Sequence, residues 1–305
     1  MIRKSGLFFL VCISAMVLTP SEVQSTGPQS KRPSIGIALG SGGASGLAHI
    51  AMLQVFDELE LRPSQIAGTS IGAVIGAMYA GGLSAGEILD IFDDFGGSPL
   101  DALSGLASNP ELELLEFIQL GLGGGGVFDS ANFLDYIAGH MPVSTFEELS
   151  IPLSVVATDY WTGESVVFTE GDLFTAIKAS MAVPVLFEAV QYGDMLLIDG
   201  GTSNPVPFDL LVGQVDIVVA IDVTGRREPV ADEARPGVVD MLFKTKEIMQ
   251  QSIIAAKLRT AEPDIYLQPQ LEGVRLLHFN KVHEIMEQAA PTAEELRSQL
   301  LGAGW

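Results

Sequence analysis

Short, almost wholly apolar runs alternate with amphipathic segments from residue 34 onward. SIGIALG (34–40), QIAGTS (65–70) and VDIVVAIDV (215–223) each have the length of one strand. An uninterrupted apolar run of this length is typical of a strand whose two faces are both covered by helices. Helical periodicity occurs between the runs, for example in LAHIAMLQVFDELE (47–60). This alternation predicts a single α/β domain with a mostly parallel sheet.

The composition and charge exclude some classes of protein. Of the 305 residues, 48% are apolar and 18% are charged, which allows a large core and is unlike a disordered chain. The formal net charge is −22, from 38 acidic and 16 basic residues. Nucleic-acid binding requires clustered Lys and Arg, and the sequence has no such cluster. We therefore expect no nucleic-acid partner and no electrostatic docking on anionic lipid, although an apolar surface can still meet a membrane.

Residues 1–25 have the pattern of a secretory signal peptide. Two basic residues precede the apolar stretch LFFLVCISAMVL (7–18), and a polar segment follows it. The stretch is shorter than the roughly 20 residues that span a bilayer, which favours a cleaved signal over an uncleaved anchor. The one cysteine, Cys12, lies inside it, so a mature chain would have no disulfide, thiol nucleophile or cysteine-bound metal. We expect export to the periplasm or the medium, with a linker at 26–33.

Two serines lie in G-x-S-x-G sequences. GTSIG (68–72) follows an apolar run and precedes a helix rich in small residues, which is the strand–turn–helix order of a nucleophile elbow. GLSAG (82–86) follows a helix that ends in glycines, and Ser84 with Glu87 has the pattern of a capping box. We interpret Ser84 as structural and Ser70 as the candidate nucleophile.

GSGGASG (40–46) follows the first predicted strand and opens a helix. Backbone N–H groups at such a junction bind anions, and glycines allow a ligand to approach them. On the residues alone, three interpretations stay open. The loop could bind a dinucleotide, although Ser45 replaces the last glycine of G-x-G-x-x-G. It could form an oxyanion hole from the N–H groups of Gly42, Gly43 and Ala44, or it could be a tight turn without a ligand.

No histidine stands out as the base that a serine nucleophile requires. His49 falls on the apolar side of the first helix, and His140 lies near a helix end. Three aspartates instead end apolar runs, where open α/β sheets place their sites: Asp159, Asp199 and Asp222. Asp199 alone is followed by two glycines, which leave space beside the carboxylate, so it is the favoured base. The other two aspartates are expected to cap their loops.

The loop, the serine and the aspartate occur together with longer matching segments. LGSGGASG, GTSIG and, far downstream, LLIDGGTSNPVP resemble the bacterial patatin-like phospholipase family, as do VVATDYWTGE and AIKASMAVPVLFEAV. The resemblance extends from about residue 34 to residue 225. It implies a three-layer α/β/α sandwich with a mostly parallel central sheet. It also implies a Ser–Asp dyad in place of a triad, which accounts for the missing histidine.

The resemblance gives each motif a role. Ser70 would be the nucleophile and Asp199 the base, and the N–H groups of Gly42, Gly43 and Ala44 would form the oxyanion hole. The substrate would be a lipid or fatty-acyl ester, and no metal or cofactor is implied. The supporting glycines of these motifs are Gly40, Gly46, Gly68, Gly72, Gly200 and Gly201.

The chain departs from the family at Ser45, where a basic residue is usual. The lost charge bears on the stiffness of the loop or on its attraction for anionic headgroups. We expect a serine lipid acyl hydrolase of phospholipase, lysophospholipase or esterase type, with transient contact to a membrane or micelle surface. A lipid-binding protein without catalysis, and a nucleotide-binding reductase, are the alternatives.

The expected domain organisation is a catalytic core at 34–225, with a C-terminal extension at 226–305 packed on the same domain. Within the core, the glycine-rich apolar segment 96–128 is expected to shape an acyl groove or a mobile lid.

Overall fold

The structure, a computed structural model, describes residues 33–96, 130–184, 186–224 and 238–303. The predicted signal peptide and almost all of the predicted linker and lid segment lie outside the described residues. The expectations about those segments therefore stay predictions.

An eight-stranded sheet forms the centre of the described part of the chain, in the order β5-β6-β3-β2-β1-β7-β8, with β4 also paired to β3. Five neighbouring strands, from β3 to β8, are parallel, whereas β4, β5 and β6 pair antiparallel. The strands are β1 (Ile35–Leu39), β2 (Gln65–Thr69), β3 (Leu153–Asp159), β4 (Ser165–Phe168), β5 (Val190–Tyr192), β6 (Met195–Asp199), β7 (Ile217–Ile221) and β8 (Ile265–Leu267).

Helices connect the strands and flank the sheet. They are α1 (Ala48–Glu58), α2 (Ile71–Ala80), α3 (Ala85–Gly96), α4 (Ser130–His140), α5 (Leu173–Ser180), α6 (Val238–Lys257) and α7 (Val282–Gly302). Short 3-10 helices occur at Gly43–Leu47, Phe146–Glu148, Gly200–Thr202, Phe208–Leu210 and Phe279–Lys281. None of the helices in the described ranges is both long and apolar enough to cross a membrane.

Each face of the sheet has its own apolar core, because successive side chains of a strand point to opposite faces. Along β1, Ile37 and Leu39 belong to a large cluster with α1, α2, α3 and α7, whereas Ala38 belongs to a smaller cluster with Ile254 of α6. The same alternation holds in β7, where Val219 and Val218 lie in different clusters. Helices therefore cover both faces, and the predicted three-layer α/β/α sandwich with a mostly parallel sheet is confirmed.

The sheet order reverses at β1, which has β2 on one side and β7 on the other. In open α/β sheets the crevice at such a reversal, outside the carboxyl ends of the strands, is the usual ligand site. The predicted loop 40–46 follows β1 at this point, and GTSIG follows the neighbouring β2. Two of the predicted motifs thus lie at the carboxyl ends of the central strands, where a site is expected.

Candidate active site

Ser70 is the turn residue between β2 and α2. Its backbone has φ 56° and ψ −125°, which is strained for a residue with a side chain. The Ser70 N–H donates to the hydroxyl of Ser180 at 2.8 Å, and that hydroxyl donates to the Val156 carbonyl at 2.5 Å. Ser70 is only 7% exposed. The structure therefore has the strand–turn–helix geometry of a nucleophile elbow, with its backbone held by the end of α5.

Two strand ends meet beside β3. Thr69 at the end of β2 is in register with Val156, and Asp199 at the end of β6 is in register with Ala157, the next residue of β3. A Cβ on Gly200 would stand 3.1 Å from the Thr69 methyl group and would collide with the Val156 carbonyl oxygen. Glycine at 200 therefore allows the two ends to meet, which places Ser70 and Asp199 at the same level of the sheet.

The two carboxylate oxygens of Asp199 differ in their partners. Oδ1 accepts hydrogen bonds from the Gly201 N–H at 3.0 Å and from the ammonium of Lys246 at 2.7 Å. Oδ2 is buried and has no hydrogen-bond partner within the described part of the chain. Asp199 itself is fully buried. A buried, unpartnered carboxylate oxygen is unusual in a folded protein, and here it belongs to the predicted base.

Helix α6 adds two residues to the site that sequence reasoning did not single out. Lys246 forms the ion pair with Asp199, and its side chain is 26% exposed. One turn later, the side-chain amide of Gln250 donates to Ser41 Oγ at 3.1 Å and to the Gly201 carbonyl at 3.0 Å. Gln250 therefore joins the loop after β1 to the loop after β6.

The loop 40–46 offers two backbone donors rather than three. The Ala44 N–H donates to the Leu276 carbonyl at 2.8 Å, so the prediction of Ala44 as an oxyanion donor is corrected: its N–H is already engaged. The N–H groups of Gly42 and Gly43 donate no backbone hydrogen bond to a described residue outside the loop's own helical turn. Gly43 has φ 57°, and a Cβ there would collide with Leu276, so only glycine fits.

His49 supports the same loop from α1. Its Nε2 lies 2.8 Å from the Gly40 carbonyl oxygen, which can only accept, so Nε2 carries the proton. Burial lowers the pKa of His49 from 6.5 to about 4, against a smaller opposite effect of the Gly40 hydrogen bond. His49 is therefore a neutral, buried residue that holds the first residue of the loop.

The remaining predicted glycines pack tightly around these motifs. At Gly46, Gly68 and Gly72, a Cβ would collide with Ile71, with Ala73 and with the Leu39 carbonyl, respectively. At Gly40 a Cβ would stand 2.9 Å from the Ile221 carbonyl oxygen, and at Gly201 it would stand 2.9 Å from Asp199 Oδ1. These glycines let the loop, the elbow and the aspartate approach one another.

Three predictions of a structural role are confirmed. Ser84 and Glu87 form the capping box of α3, since the Ser84 N–H donates to the Glu87 carboxylate at 2.8 Å and the Glu87 N–H donates to Ser84 Oγ at 3.3 Å. Asp159 accepts from the Trp161 N–H, and Asp222 accepts from the Thr224 N–H, so both cap their loops. Among the described residues, no group of three or more His, Cys, Asp or Glu side chains is placed to hold a metal ion.

The signals for Lys246 and Gln250 in the sequence are weak. The spacing of Lys246, Gln250 and Lys257 places all three on one face of a helix, which indicates a polar stripe. A stripe of this kind is as compatible with solvent as with a site. Ser180 and Leu276 carry no local pattern at all, because their roles depend on contacts with residues distant in sequence.

Comparisons with known proteins identify related sequences. The sequence model of the family described as patatin-like phospholipase matches residues 37–212. An uncharacterized NTE family protein of Mycobacterium bovis is 32% identical over 211 residues, which cover 68% of this chain and 54% of that protein. A patatin-like phospholipase domain-containing protein of Caenorhabditis elegans is 27% identical over 88% of this chain and 21% of its own length.

The chain spans about half the length of the mycobacterial relatives. Among solved structures, VipD from Legionella pneumophila aligns over 88% of this chain and 67% of that chain, with a TM-score of 0.46 at 14% identity. That score is too low to carry a functional argument. The family match covers the loop, the elbow serine and the strand-end aspartate together. The chain belongs to the patatin-like phospholipase family.

Proposed function

We propose that this protein is a serine lipid acyl hydrolase that cleaves carboxylic esters through an acyl-enzyme on Ser70, with Asp199 as the base. The observation that carries the proposal is the pair of strand ends beside β3. One end presents a serine on a strained elbow, and the other presents a buried carboxylate oxygen that has no hydrogen-bond partner among the described residues. A hydroxyl proton is the partner that such an oxygen lacks.

The first half of the reaction forms the acyl-enzyme. Ser70 Oγ attacks the ester carbonyl carbon while its proton passes to Asp199 Oδ2. The carbonyl oxygen becomes an oxyanion, and the N–H groups of Gly42 and Gly43 donate hydrogen bonds to it. Collapse of this intermediate breaks the ester bond, and the proton on Asp199 leaves with the alcohol. The acyl group remains on Ser70.

The second half regenerates the enzyme. A water molecule attacks the acyl carbon and gives one proton to Asp199, and the same two N–H groups stabilise the second oxyanion. When this intermediate collapses, the fatty acid leaves and Ser70 Oγ takes the proton back. No group other than water is consumed.

An apolar cluster beside the site supports an acyl substrate. Val183 and Leu186 are buried and pack with Phe187, Phe243 and Leu276. Residue 182, next to Val183, accepts the backbone hydrogen bond of Asp199, and Leu276 lies against the loop at Gly43. The cluster therefore borders both the base and the oxyanion loop, where an apolar chain on the ester would lie.

We also propose transient contact with a membrane or micelle surface. Helix α6 exposes Met241, Leu242, Ile248 and Met249, of which Met241 and Ile248 lie on the face opposite to Lys246 and Gln250. Trp161, in the loop after β3, is 72% exposed. Large exposed apolar side chains near a site are typical of a surface that meets lipid.

A fluorophosphonate that reacts with activated serines tests the dyad directly. We expect one adduct per chain, mapped by mass spectrometry to Ser70, and hydrolysis of a panel of phospholipids, lysophospholipids and simple esters. Ser70→Ala should abolish both, and Asp199→Asn should reduce both by a factor on the order of 10³ or more. Relative rates across the panel identify the ester class.

Ser84→Ala is the matched control, because Ser84 lies in the second G-x-S-x-G sequence and caps a helix. It should leave labelling and hydrolysis unchanged. A folded wild-type protein that takes no label, yet binds lipid vesicles, would instead be a lipid-binding protein without catalysis. Labelling at a serine other than Ser70 would contradict the proposed dyad.

A further inference from the structure

The ion pair between Lys246 and Asp199 is not explained by the dyad alone. A Ser–Asp dyad needs a serine, an aspartate and donors for the oxyanion, and none of these roles requires a lysine. Nevertheless the ammonium of Lys246 lies 2.7 Å from Asp199 Oδ1, and Asp199 is fully buried. Helix α6 thus contributes a positive charge to the centre of the site.

Because Asp199 is buried, the positive charge of Lys246 has a strong effect on its carboxylate. An ionised carboxylate without a counter-charge is costly in the protein interior. Lys246 supplies the counter-charge, and its partial exposure keeps part of its own solvation.

The contacts on Oδ1 also determine which oxygen is free. Lys246 and the Gly201 N–H both donate to Oδ1, and Oδ2 has no partner among the described residues. Two donors on one oxygen fix the rotation of the carboxylate about its bond to Cβ. The arrangement therefore leaves Oδ2 alone as an acceptor.

Helix α6 holds Lys246 in place with two further polar residues on the same face. Gln250, one turn later, contacts the loops after β1 and after β6. Lys257, two turns beyond, donates to the Val206 carbonyl at 2.8 Å and contacts the side chains of Asn204 and Asp209. All the partners of this stripe lie in the segment 199–209 or in the loop after β1, so the helix and the base form one unit.

We infer that Lys246 is a positioning residue of the dyad, whose ammonium supplies the counter-charge at Asp199 Oδ1 and leaves Oδ2 free to accept the Ser70 proton. The inference rests on the proposed function. It assigns a positioning role to a helix outside the region that the family model matches, since α6 begins after residue 212.

Replacement of Lys246 by three different side chains separates charge from hydrogen bonding and from packing. Lys246→Met removes both, Lys246→Gln keeps a donor without charge, and Lys246→Arg keeps the charge. We expect kcat to fall on the order of 100-fold in the Met and Gln variants, with KM within about threefold of wild type. Lys246→Arg should restore kcat to within about tenfold of wild type. The rate of fluorophosphonate labelling at Ser70 should follow kcat across the series.

Lys244→Met is the matched control, because Lys244 lies on the same helix and pairs with Glu247 instead of Asp199. It should leave kcat, KM and labelling unchanged. Equal kcat values in the Gln and Arg variants would show that the charge is not needed and would overturn the inference. A higher KM or a lower melting temperature in all three variants, with kcat unchanged, would also overturn the inference.

A failure of the inference can be told from a failure of the proposed function. If wild-type protein is labelled at Ser70 and Lys246→Met is labelled at the same rate, the dyad stands and the role of Lys246 is wrong. If folded wild-type protein is neither labelled nor active on any ester, the proposed function is wrong, and the positioning role falls with it.

Discussion

Ser70 occupies a backbone conformation that its side chain disfavours. Its φ of 56° and ψ of −125° are readily adopted by glycine but cost a residue with a Cβ about 1–3 kcal/mol. The hydrogen bond to Ser180 and the close packing at Gly68 and Gly72 keep the conformation in place. The strain is tolerated where it holds a hydroxyl at the end of a strand.

Two variants that both lack the hydroxyl measure this strain. Ser70→Ala keeps a Cβ in the disfavoured conformation, whereas Ser70→Gly removes it. We expect both variants to be inactive and Ser70→Gly to be more stable by about 1 kcal/mol, which is a melting temperature roughly 2–4 °C higher. Thermal unfolding of the two proteins provides the comparison.

The same pair of changes at Ser84 serves as the control, because Ser84 caps a helix and is not among the residues with positive φ. There the glycine variant should gain no comparable stability over the alanine variant. Equal melting temperatures for the two Ser70 variants would mean that the elbow is not strained in solution.

At the scale of single residues, the sequence predicts what a local pattern encodes. The strand–turn–helix order at Ser70 and the Ser84–Glu87 pair are both readable within a few positions, and the structure contains both. The hydrogen bond from the Ala44 N–H is different, because its acceptor, the Leu276 carbonyl, is more than 200 residues away in the chain. A contact of that kind leaves no trace in the spacing of either residue.

At the scale of elements, helix α6 shows what the periodicity of the sequence predicts and what it leaves open. Its pattern predicts a long helix, and the spacing of Lys246, Gln250 and Lys257 predicts a shared face. Which of its two faces meets the sheet is not encoded in that spacing. Here the polar stripe faces the site beside the buried Ile254, while the apolar residues near Ile248 are exposed.

Helix α1 and the loop 40–46 are joined by a histidine whose ionisation is coupled to folding. The folded protein holds His49 neutral, because burial lowers its pKa from 6.5 to about 4. The unfolded chain binds a proton below about pH 6.5, so between these values it binds more protons than the folded protein. Stability therefore falls as the pH falls through this window, by about 2 kcal/mol between pH 7.5 and pH 5 from His49 alone.

His49→Gln tests this coupling, because glutamine can still donate to the Gly40 carbonyl but does not titrate. We expect the melting temperature of wild-type protein to drop more than that of the variant between pH 7.5 and pH 5, by roughly 4–8 °C. An equal drop in melting temperature for wild type and His49→Gln would contradict the burial of a neutral histidine in solution.

At the scale of the whole molecule, strand type and layering follow from composition, but strand order does not. Apolar runs of five to nine residues predict buried strands, and their alternation with helices predicts the three layers. The antiparallel entry of β6 beside β3 is what brings Asp199 to the end of β2. That arrangement depends on two separate pairings between strands distant in sequence, β2 with β3 and β3 with β6, and only the family resemblance indicates its outcome.

The net charge of the whole molecule sets its preference among lipid surfaces. The chain carries a formal charge of −22 and exposes apolar side chains on α6. A surface of anionic lipid repels such a protein, whereas a zwitterionic surface does not, and salt weakens the repulsion over a Debye length of about 10 Å at 0.1 M. We therefore expect the protein to bind lipid through apolar contacts, without electrostatic attraction.

Vesicle co-sedimentation at two salt concentrations tests this preference. We expect more protein bound to zwitterionic vesicles than to vesicles with about one third anionic lipid at low ionic strength, and a smaller difference at roughly 0.5 M salt. Ile248→Glu should weaken binding to the zwitterionic vesicles, because it places a charge on the exposed apolar face of α6. Thr245→Glu, on the same helix, adds the same charge without removing an apolar side chain, and it should weaken binding less. Tighter binding to the anionic vesicles at low salt would mean that a local basic surface, and not the net charge, governs contact with lipid.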